Sequence, residues 1–167
     1  MTLITLGAMT MFTSCSKDDP EPEPSFENKQ VTLYDLQKQP VAYIDYDDEK
    51  TIYLWEGIPV AYLVPVEDEE VKDANAVFGF NGKCIGWYCD SIMYNTNGYA
   101  VGAEKGIKRG SILTTIVNVE TAKGVKHVKP IKHVKEVRPV RHILGDSWSE
   151  VLLTDFLNEG IKDNFAN

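Results

Sequence analysis

Acidic side chains between Asp45 and Glu56 have a spacing that approaches a calcium-binding loop. Carboxylates stand at the first, third, fifth and twelfth positions of this segment, which are ligand positions of an EF-hand. The sixth position is Lys50, where such a loop needs a glycine for its sharp turn. Pro40 and Pro59 flank the segment, and hairpin signals stand where an EF-hand has helices. We therefore interpret it as a solvated acidic link and expect no calcium there.

Histidines are the next residues with metal chemistry, and all three lie in one basic stretch, at His127, His133 and His142. On an extended chain His127 and His133 would be about 19 Å apart. The ligands of one zinc ion must each come within about 2 Å of the metal. The sequence therefore predicts exposed histidines, and it predicts neither a metal site nor a cofactor.

Cys84 and Cys89 lie in one predicted strand. Their Cα atoms would be about 16 Å apart, with side chains on opposite faces. A disulfide needs Cα atoms within about 7 Å of each other. We expect two small, buried thiols, although pairing in an exported protein is the alternative.

Cys15 has a different chemistry, because it ends an apolar run that is too short to span a bilayer. The sequence Phe12-Thr13-Ser14-Cys15 resembles a bacterial lipobox, which implies that Cys15 is lipidated and becomes the first residue of the mature protein. Residues 16–30 are charged and rich in proline, so they predict an extended, disordered acidic tether. The Lys17-Asp18-Asp19 run resembles the signal that sends lipoproteins to the outer face of the outer membrane. We expect a surface-exposed outer membrane lipoprotein. The alternatives are a periplasm-facing lipoprotein and a cytoplasmic protein with an uncleaved apolar segment.

The elements that position the remaining side chains come from a motif that occurs four times between Val31 and Ala103. Each copy has an apolar residue, an aromatic residue, a turn, a small or cyclic residue, a valine or isoleucine, and then alanine or glycine. The turns contain Gln37-Lys38, Glu56-Gly57, Asn81-Gly82 and Asn97-Gly98. The two Asn-Gly turns predict type I′ hairpins, since both residues tolerate positive φ. The first turn lacks a glycine and is expected to be longer or differently shaped.

Aromatic residues follow three of the four motifs at one equivalent position, as Tyr43, Tyr62 and Trp87. This equivalence predicts a ring of packed aromatic side chains. A single hairpin is marginally stable in water, so four hairpins must bury their apolar faces against each other. The sequence therefore predicts β-ribbons arranged around a pseudo-fourfold axis.

The four repeats, the Val/Lys/Pro stretch after them and the segment Ser147-Trp148-Ser149 resemble the 4-fold beta flower family of small bacterial proteins. The resemblance implies four short β-hairpins set like petals, and it implies no established activity. We expect one mainly β domain over residues 31–167, in which the hairpins are followed by a strand, an extended basic strap and a short C-terminal helix.

The carboxyl-terminal part supplies those last three elements. Ser111–Val119 is rich in β-branched residues and predicts one long strand. From Val125 to Ile143 every third residue is apolar, which is the period of a polyproline II helix; two short strands are the alternative. Such a strap would lay its apolar ridge on the domain and hold its basic row in water. Ser147–Glu150 has the spacing of a capping box for a helix that ends at Gly160. We expect this helix to dock on the β-domain, with partner binding as the alternative.

The net charge of −8 argues against nucleic acid as a partner, because binding phosphates requires a basic surface. Acidic residues concentrate in the links between hairpins, whereas lysine and arginine dominate from Lys105 to Arg141. Two interpretations stay open. Either the basic segment lies against the acidic links, or the acidic residues form solvated loops.

The sequence contains none of the nucleophile elbow, phosphate-loop or metalloprotease motifs, so we expect no enzyme. Trp55, Phe80 and Tyr88 fall outside the shared core positions and are the candidate ligand-binding residues, with glycan or an envelope protein as the partner. Their places just before the turns would display Trp55 and Phe80 at petal edges, but burial between petals is the favoured interpretation, because large aromatic side chains are usually well buried. The predicted function is a non-enzymatic binding or structural module at the cell envelope. One alternative is a hydrolase with carboxylates assembled across repeats. Another is a structural component whose strap contacts anionic lipid or polysaccharide.

Overall fold

The computed structural model describes residues 29–67 and 74–162, so Cys15 and nearly all of the predicted tether lie outside the described residues. Eight antiparallel strands pair in chain order, and the last pairs with the first to close a barrel. Consecutive strands form four hairpins, here named petals 1 to 4, which confirms the predicted architecture. The strands are β1 Gln30–Tyr34, β2 Pro40–Asp45, β3 Thr51–Leu54, β4 Pro59–Pro65, β5 Asn75–Gly79, β6 Cys84–Cys89, β7 Ile92–Asn95 and β8 Ala100–Ala103.

The four petal turns share one hydrogen-bond pattern. In petal 2 the Gly57 N–H donates to the Leu54 carbonyl at 2.8 Å, and the Leu54 N–H donates to the Ile58 carbonyl at 2.9 Å. Glycine has positive φ in petals 2, 3 and 4, but the residue before it does not. This is a turn with a bulge after it, so the type I′ prediction for the two Asn-Gly pairs is wrong. The strand register shifts at each bulge, which accommodates the extra valine or isoleucine of the motif.

Paired positive-φ residues occur instead in the links between petals. Glu49 and Lys50 both have φ of 55°, and Asp90 and Ser91 have φ of 49° and 63°. Asp90 and Ser91 form a two-residue link with the backbone signature of a type I′ turn, whereas Glu49 and Lys50 end a longer link of five residues. Neither pair contains a glycine, so the turn signals in the sequence do not predict positive φ in these links.

The first petal turn has the same shape as the other three although it lacks a glycine. Lys38 occupies the glycine position with φ of 64°, and its N–H donates to the Asp35 carbonyl at 2.9 Å. The expectation of a different first turn is therefore wrong. The cost is local, because a non-glycine residue in the left-handed region is disfavoured by about 1–2 kcal/mol.

The barrel interior is built from the apolar residue of each motif. Leu33, Ile52, Val77 and Met93 are fully buried there. Their cross-strand neighbours are small, at Ala42, Ala61, Gly86 and Gly102. The interior therefore keeps room for an element that comes from outside the petals.

The C-terminal helix α1, Leu153–Asn158, fills that room. A Cβ atom on Gly102 would lie 2.9 Å from a methyl carbon of Leu153, and one on Gly86 would lie 2.8 Å from the ring of Phe156. The side chains of Leu153, Phe156 and Leu157 are buried. The predicted docking on the β-domain is confirmed. The small residues of petals 3 and 4 are explained by the approach of this helix.

The helix begins later than predicted. Its N-cap is Leu152, which makes no side-chain capping hydrogen bond, so the capping box assigned to Ser147–Glu150 is wrong. Trp148 instead pairs with Ala100 in a parallel β-bridge, and the Ser149 hydroxyl accepts a hydrogen bond from the Val151 N–H at 3.0 Å. Contact with the fourth petal therefore overrides the local helix signal.

The long strand predicted over Ser111–Val119 is not formed. Only β10, Ile112–Leu113, is a strand, and it pairs with β9, Lys108–Arg109. Residues 115–147, here named the strap, contain no helix or ladder strand and pass around the outside of the barrel. Their backbone bonds to the petal turns instead of to a neighbouring strand, which is why β-branched composition does not produce a ladder.

The strap binds the four petals at intervals of nine residues. In each case a strap N–H donates to the carbonyl of the positive-φ residue of a petal turn, over 2.9–3.0 Å. The donor and acceptor pairs are Asn118 and Lys38, His127 and Gly57, Glu136 and Gly82, and Gly145 and Gly98. Nine residues are three turns of a polyproline II helix, which advance about 28 Å. The three-residue period of the strap is thus matched to the spacing of the petals.

The strap is turned the other way from the prediction, because its apolar row faces water and its basic row faces the barrel. The exposed fraction is between 86% and 96% for Val125, Val128, Ile131, Val134, Val137, Val140 and Ile143. The barrel presents aromatic rings and carboxylates to the strap, and these attract cations more strongly than valine. The exposed β-branched residues keep the backbone extended, since branching at Cβ restricts the conformations of the chain.

We predict opposite effects for two substitutions at the equivalent turn position. Gly82→Ala should lower the free energy of unfolding by about 2 kcal/mol or more, because the residue has φ of 87° and its Cβ would lie 2.2 Å from the Val134 carbonyl oxygen. Lys38→Gly should cost nothing or stabilise the fold by up to about 1 kcal/mol. Urea denaturation measures both. Equal losses for the two variants would contradict this account of the turns.

Candidate functional site

Aromatic pairs cover the outside of the barrel where neighbouring petals meet. Tyr43 stacks on Tyr53 with ring centroids 5.4 Å apart, and Tyr62 stacks on Phe78 at 6.3 Å. Trp87 lies opposite Tyr94 in the same register between petals 3 and 4. Each pair joins the aromatic residue that follows one motif to the aromatic residue inside the next. The predicted equivalence of Tyr43, Tyr62 and Trp87 is confirmed.

Basic side chains of the strap lie on these rings. Each cation stands between 4.5 and 5.8 Å from a ring centroid. The pairs are Lys123 with Tyr43, Lys126 with Tyr53, Lys132 with Tyr62, Lys135 with Phe78 and Arg138 with Trp87. Each such contact contributes about 0.5–1 kcal/mol, more where water is excluded. The basic row therefore holds the strap on the domain and is not a free cationic surface.

The acidic link between petals 1 and 2 binds the same lysines. Lys126 Nζ is 2.5 Å from Asp45 Oδ2, and Lys129 Nζ is 2.6 Å from Asp48 Oδ1. Lys132 continues the series with Glu49 at 2.8 Å. The interpretation in which the basic segment lies against the acidic links is confirmed for this link. Two carboxylates at ligand positions of the EF-hand-like segment, Asp45 and Glu49, are thus engaged in ion pairs.

All three of these carboxyl groups have a pKa below the ordinary value, and for Glu49 the main cause is the hydrogen bond from Lys132. Burial alone would raise the pKa of Asp45, but hydrogen bonds from Lys126 and Gln30 outweigh it, so the pKa lies below its ordinary value. For Asp48, hydrogen bonds from Lys129 and then Tyr53 lower the pKa. Asp45 is 2% exposed, so its ion pair is shielded from solvent. These are the pairs on which pH acts most directly.

The histidines and cysteines do not converge on a metal site. Among residues 29–67 and 74–162, no group of three His, Cys, Asp or Glu side chains is placed to hold a metal ion. The strap histidines are exposed. Cys84 is partly exposed, Cys89 is buried, and no disulfide joins them.

Phe80 is buried between petals, which is the favoured interpretation, whereas Trp55 is only partly covered. Phe80 is 2% exposed and packs against Tyr62 at 5.7 Å. Trp55 stands edge-on to Tyr43 at 6.2 Å, and its indole N–H donates to the Thr121 hydroxyl at 3.0 Å. The strap and the neighbouring petals account for this burial, because they pass over the surface that an isolated petal would leave open.

Tyr88, the third predicted residue, faces a cleft at the end of the barrel away from the petal turns. We name it the mouth cleft. It has a volume of about 680 Å³ and is formed by the links between petals. Its walls include Lys29, Tyr46, Lys50, Asn75, Tyr88, Asp90, Ser91 and Glu104. Sequence reasoning selected only Tyr88 of this set. The sequence signal for Tyr88 is its position in the repeat. It occupies the inward-facing position that Ile44 and Leu63 occupy in petals 1 and 2.

The mouth cleft has a fixed polar centre. The Tyr88 hydroxyl donates a hydrogen bond to the Glu104 carboxylate, and burial together with this carboxylate raises the pKa of Tyr88, so the phenol stays protonated. The Glu104 N–H donates to the Ser91 carbonyl at 2.9 Å, which holds the residue in place. Two ammonium groups, from Lys29 and Lys50, line the same cleft. The arrangement suits a small polar ligand that carries both signs of charge.

Comparison with known proteins gives one family. A family model described as "4-fold beta flower protein" matches residues 31–157. The curated proteins and the solved structures contain no match to this chain. Within the described residues, no helix is long and apolar enough to cross a membrane.

We predict that the ion pairs of the strap make stability sensitive to acid. A carboxyl group with a lower pKa in the folded chain stabilises the fold above its unfolded pKa of about 4, and this contribution is lost as the pH falls toward the folded pKa. Lys126→Ala combined with Lys129→Ala should therefore lower stability at pH 7 by about 1–3 kcal/mol. The double variant should also lose less stability than the wild type between about pH 5 and pH 3.

Denaturation curves over this pH range provide the measurement. Lys108→Ala, which removes an exposed lysine of β9, is the control and should leave the pH dependence unchanged. Parallel stability curves for the double variant and the wild type would show that these pairs do not contribute.

Proposed function

We propose that this chain, which belongs to the 4-fold beta flower family, is a lipid-anchored module of the cell envelope that binds a small ligand in the mouth cleft and catalyses no reaction. The observation that carries the proposal is the mouth cleft itself. It is concave, it has a fixed tyrosine and carboxylate pair, and among the described residues it lies at the mouth of the barrel, beside the links between petals. Ligand sites in barrels are commonly found at such openings.

The charges of the mouth cleft favour a zwitterionic ligand, such as an amino acid or a short peptide. Lys29 and Lys50 would face an anionic group, and Asp90 and Glu104 would face a cationic one. Tyr46 and Tyr88 add aromatic surface for an apolar part of the ligand. A nucleic acid is not expected, because the net charge is −8 and the basic row of the strap is bound to the barrel.

The anchor rests on the amino-terminal sequence. The lipobox-like Phe12-Thr13-Ser14-Cys15 and the Lys17-Asp18-Asp19 run support a lipoprotein on the outer face of the outer membrane. Acyl chains on Cys15 would hold the domain at a membrane, since each buried methylene group contributes about 0.8 kcal/mol. A cell-surface position would expose the ligand-binding cleft to small molecules outside the cell.

A hydrolase is the second candidate, because two carboxylates line the mouth cleft, Asp90 from the link between petals 3 and 4 and Glu104 from the segment after petal 4. Paired carboxylates can act as acid and base in glycoside hydrolysis. Against this role, the Glu104 carboxylate already accepts the hydrogen bond of Tyr88. Product formation from chromogenic glycosides, lost in Glu104→Gln, would favour the enzyme over the binding module.

We predict that free amino acids and dipeptides, used as probes in isothermal titration calorimetry, include a ligand of the mouth cleft. Glu104→Gln should weaken its binding about tenfold or more, because the variant loses a charge that faces the cleft. Glu120→Gln is the matched control, since Glu120 accepts an equivalent tyrosine hydrogen bond from Tyr34 but does not line the mouth cleft. Absence of binding by the whole panel, or equal weakening in both variants, would refute this site.

We also predict lipidation at Cys15. In a Gram-negative host fed an alkynyl fatty acid, the wild-type chain should be labelled and should sediment with membranes. Cys15→Ala should be unlabelled and released, whereas the control Cys84→Ala should behave like the wild type. Membrane attachment of Cys15→Ala that is removed by salt would instead support electrostatic contact with anionic lipids.

A further inference from the structure

A second cleft lies beside the turn of petal 4, and we name it the petal-4 cleft. It has a volume of about 420 Å³, within the range of about 300–1,000 Å³ that is usual for small-molecule sites. Asn95, Asn97, Tyr99, Trp148, Ser149 and Glu150 form most of its wall. None of its wall residues belongs to the mouth cleft, so the two clefts are independent.

Petal 4 departs from the other petals at the position of Tyr99. The equivalent residues after the turns of petals 1 to 3 are Gln39, Ile58 and Lys83, none of which is aromatic. The side chain of Tyr99 is half exposed, at 50%, whereas the aromatic residues of the petal cores are buried. Tyr99 does not stand alone on the surface, because it lines the same cleft as Trp148, so two aromatic side chains lie together at this site.

The walls of the petal-4 cleft are held by hydrogen bonds. The Trp148 indole N–H donates to the Ser111 carbonyl at 3.1 Å, and the Tyr99 N–H donates to the Asn95 side-chain oxygen at 3.1 Å. The Asn95 amide in turn donates to the Ser149 hydroxyl at 3.2 Å. The Trp148 ring and the backbone of Tyr99 are therefore held in place before a ligand arrives, which limits the entropy lost on binding.

Electrostatics distinguish this cleft from its neighbours. Strap cations lie over the rings at all three junctions between successive petals, but among the described residues no lysine or arginine lines the petal-4 cleft. The strap ends here, where the Gly145 N–H bonds to Gly98 and the chain turns toward α1. The polar wall consists of the amides of Asn95 and Asn97, the Ser149 hydroxyl and one carboxylate from Glu150.

We propose that the petal-4 cleft binds a neutral carbohydrate. Aromatic rings offer an apolar face to the C–H groups of a sugar ring, and amide, hydroxyl and carboxylate groups accept or donate hydrogen bonds to sugar hydroxyls. The absence of cations from the cleft wall argues against an anionic ligand. This proposal does not depend on a ligand in the mouth cleft.

A peptide is less suited to the petal-4 cleft, as petal 3 shows. There the Asn81 amide donates to the backbone carbonyls of Glu159 and Lys162, at 2.7 and 2.8 Å. The peptide chain comes this close because position 79 is a glycine, whose Cβ would lie 2.2 Å from the Gly160 Cα. Petal 4 has Asn95 at the position equivalent to Gly79, so its side chain occupies the space that a peptide backbone would need.

The test uses the full chain and neutral oligosaccharides, namely maltotriose, cellotriose, mannotriose and chitotriose, in calorimetry and tryptophan fluorescence. At least one of them should bind, with a dissociation constant at or below about 1 mM. Tyr99→Ala should weaken that binding about tenfold or more. Lys83→Ala changes the equivalent position of petal 3 and should leave it unchanged. Circular dichroism and urea denaturation verify that both variants are folded.

Three results would overturn the proposal. The first is that no oligosaccharide of the panel binds at about 10 mM. The second is that Tyr99→Ala and Lys83→Ala bind the sugar equally well. The third is that Glu104→Gln in the mouth cleft abolishes sugar binding while Tyr99→Ala retains it, which would place the sugar at the other end of the barrel.

Discussion

The hydrogen bond from a strap N–H to the positive-φ residue of each petal turn is the interaction on which the rest of the domain depends. It occurs once per petal and at intervals of nine strap residues, so four identical contacts fix the path of a segment that has no ladder of its own. In petals 2 to 4 the turn residue is glycine, and the strap carbonyl comes within 2.2 Å of where a Cβ would lie. The glycine therefore serves the turn conformation and the docking of the strap together.

This contact decides which face of the strap turns inward. With one face bonded to the turns, the basic residue of each triplet is brought over the aromatic pairs, and the valine or isoleucine is left in water. The orientation is favourable because the barrel surface under the strap is aromatic and acidic, as with Tyr53 and Asp45 beneath Lys126. Exposed valines thus do not signal a buried ridge here. Their contribution is to the stiffness of an extended chain.

The sequence predicts how the hairpins are arranged, but it does not predict which side chains lie on the surface of the domain. Repetition with turn signals predicts four hairpins. The equivalent positions of Tyr43, Tyr62 and Trp87 predict a shared environment, because each copy of the motif can be aligned with the other three. Local patterns were misleading wherever a distant segment changed the environment. The predicted capping box at Ser147 does not form, because Trp148 pairs with Ala100 in a β-bridge. The strand predicted from Ser111 does not form, because the chain after it bonds to the petal turns. Phe80 is covered by Tyr62 from the neighbouring strand, a contact that no spacing in the motif encodes.

The two clefts both lie where the fourfold pattern is broken, and this has a physical basis. A residue type that recurs in all four petals is constrained by packing, because its side chain must fit the same kind of neighbours in each petal. Tyr88 and Tyr99 are not under that constraint: one replaces an aliphatic residue of the interior, and the other stands where the remaining petals have non-aromatic residues. Tyr88 still packs in the core and bonds to Glu104, whereas half of the Tyr99 side chain is exposed. The two proposed ligand sites therefore rest on the differences between the copies more than on their likeness.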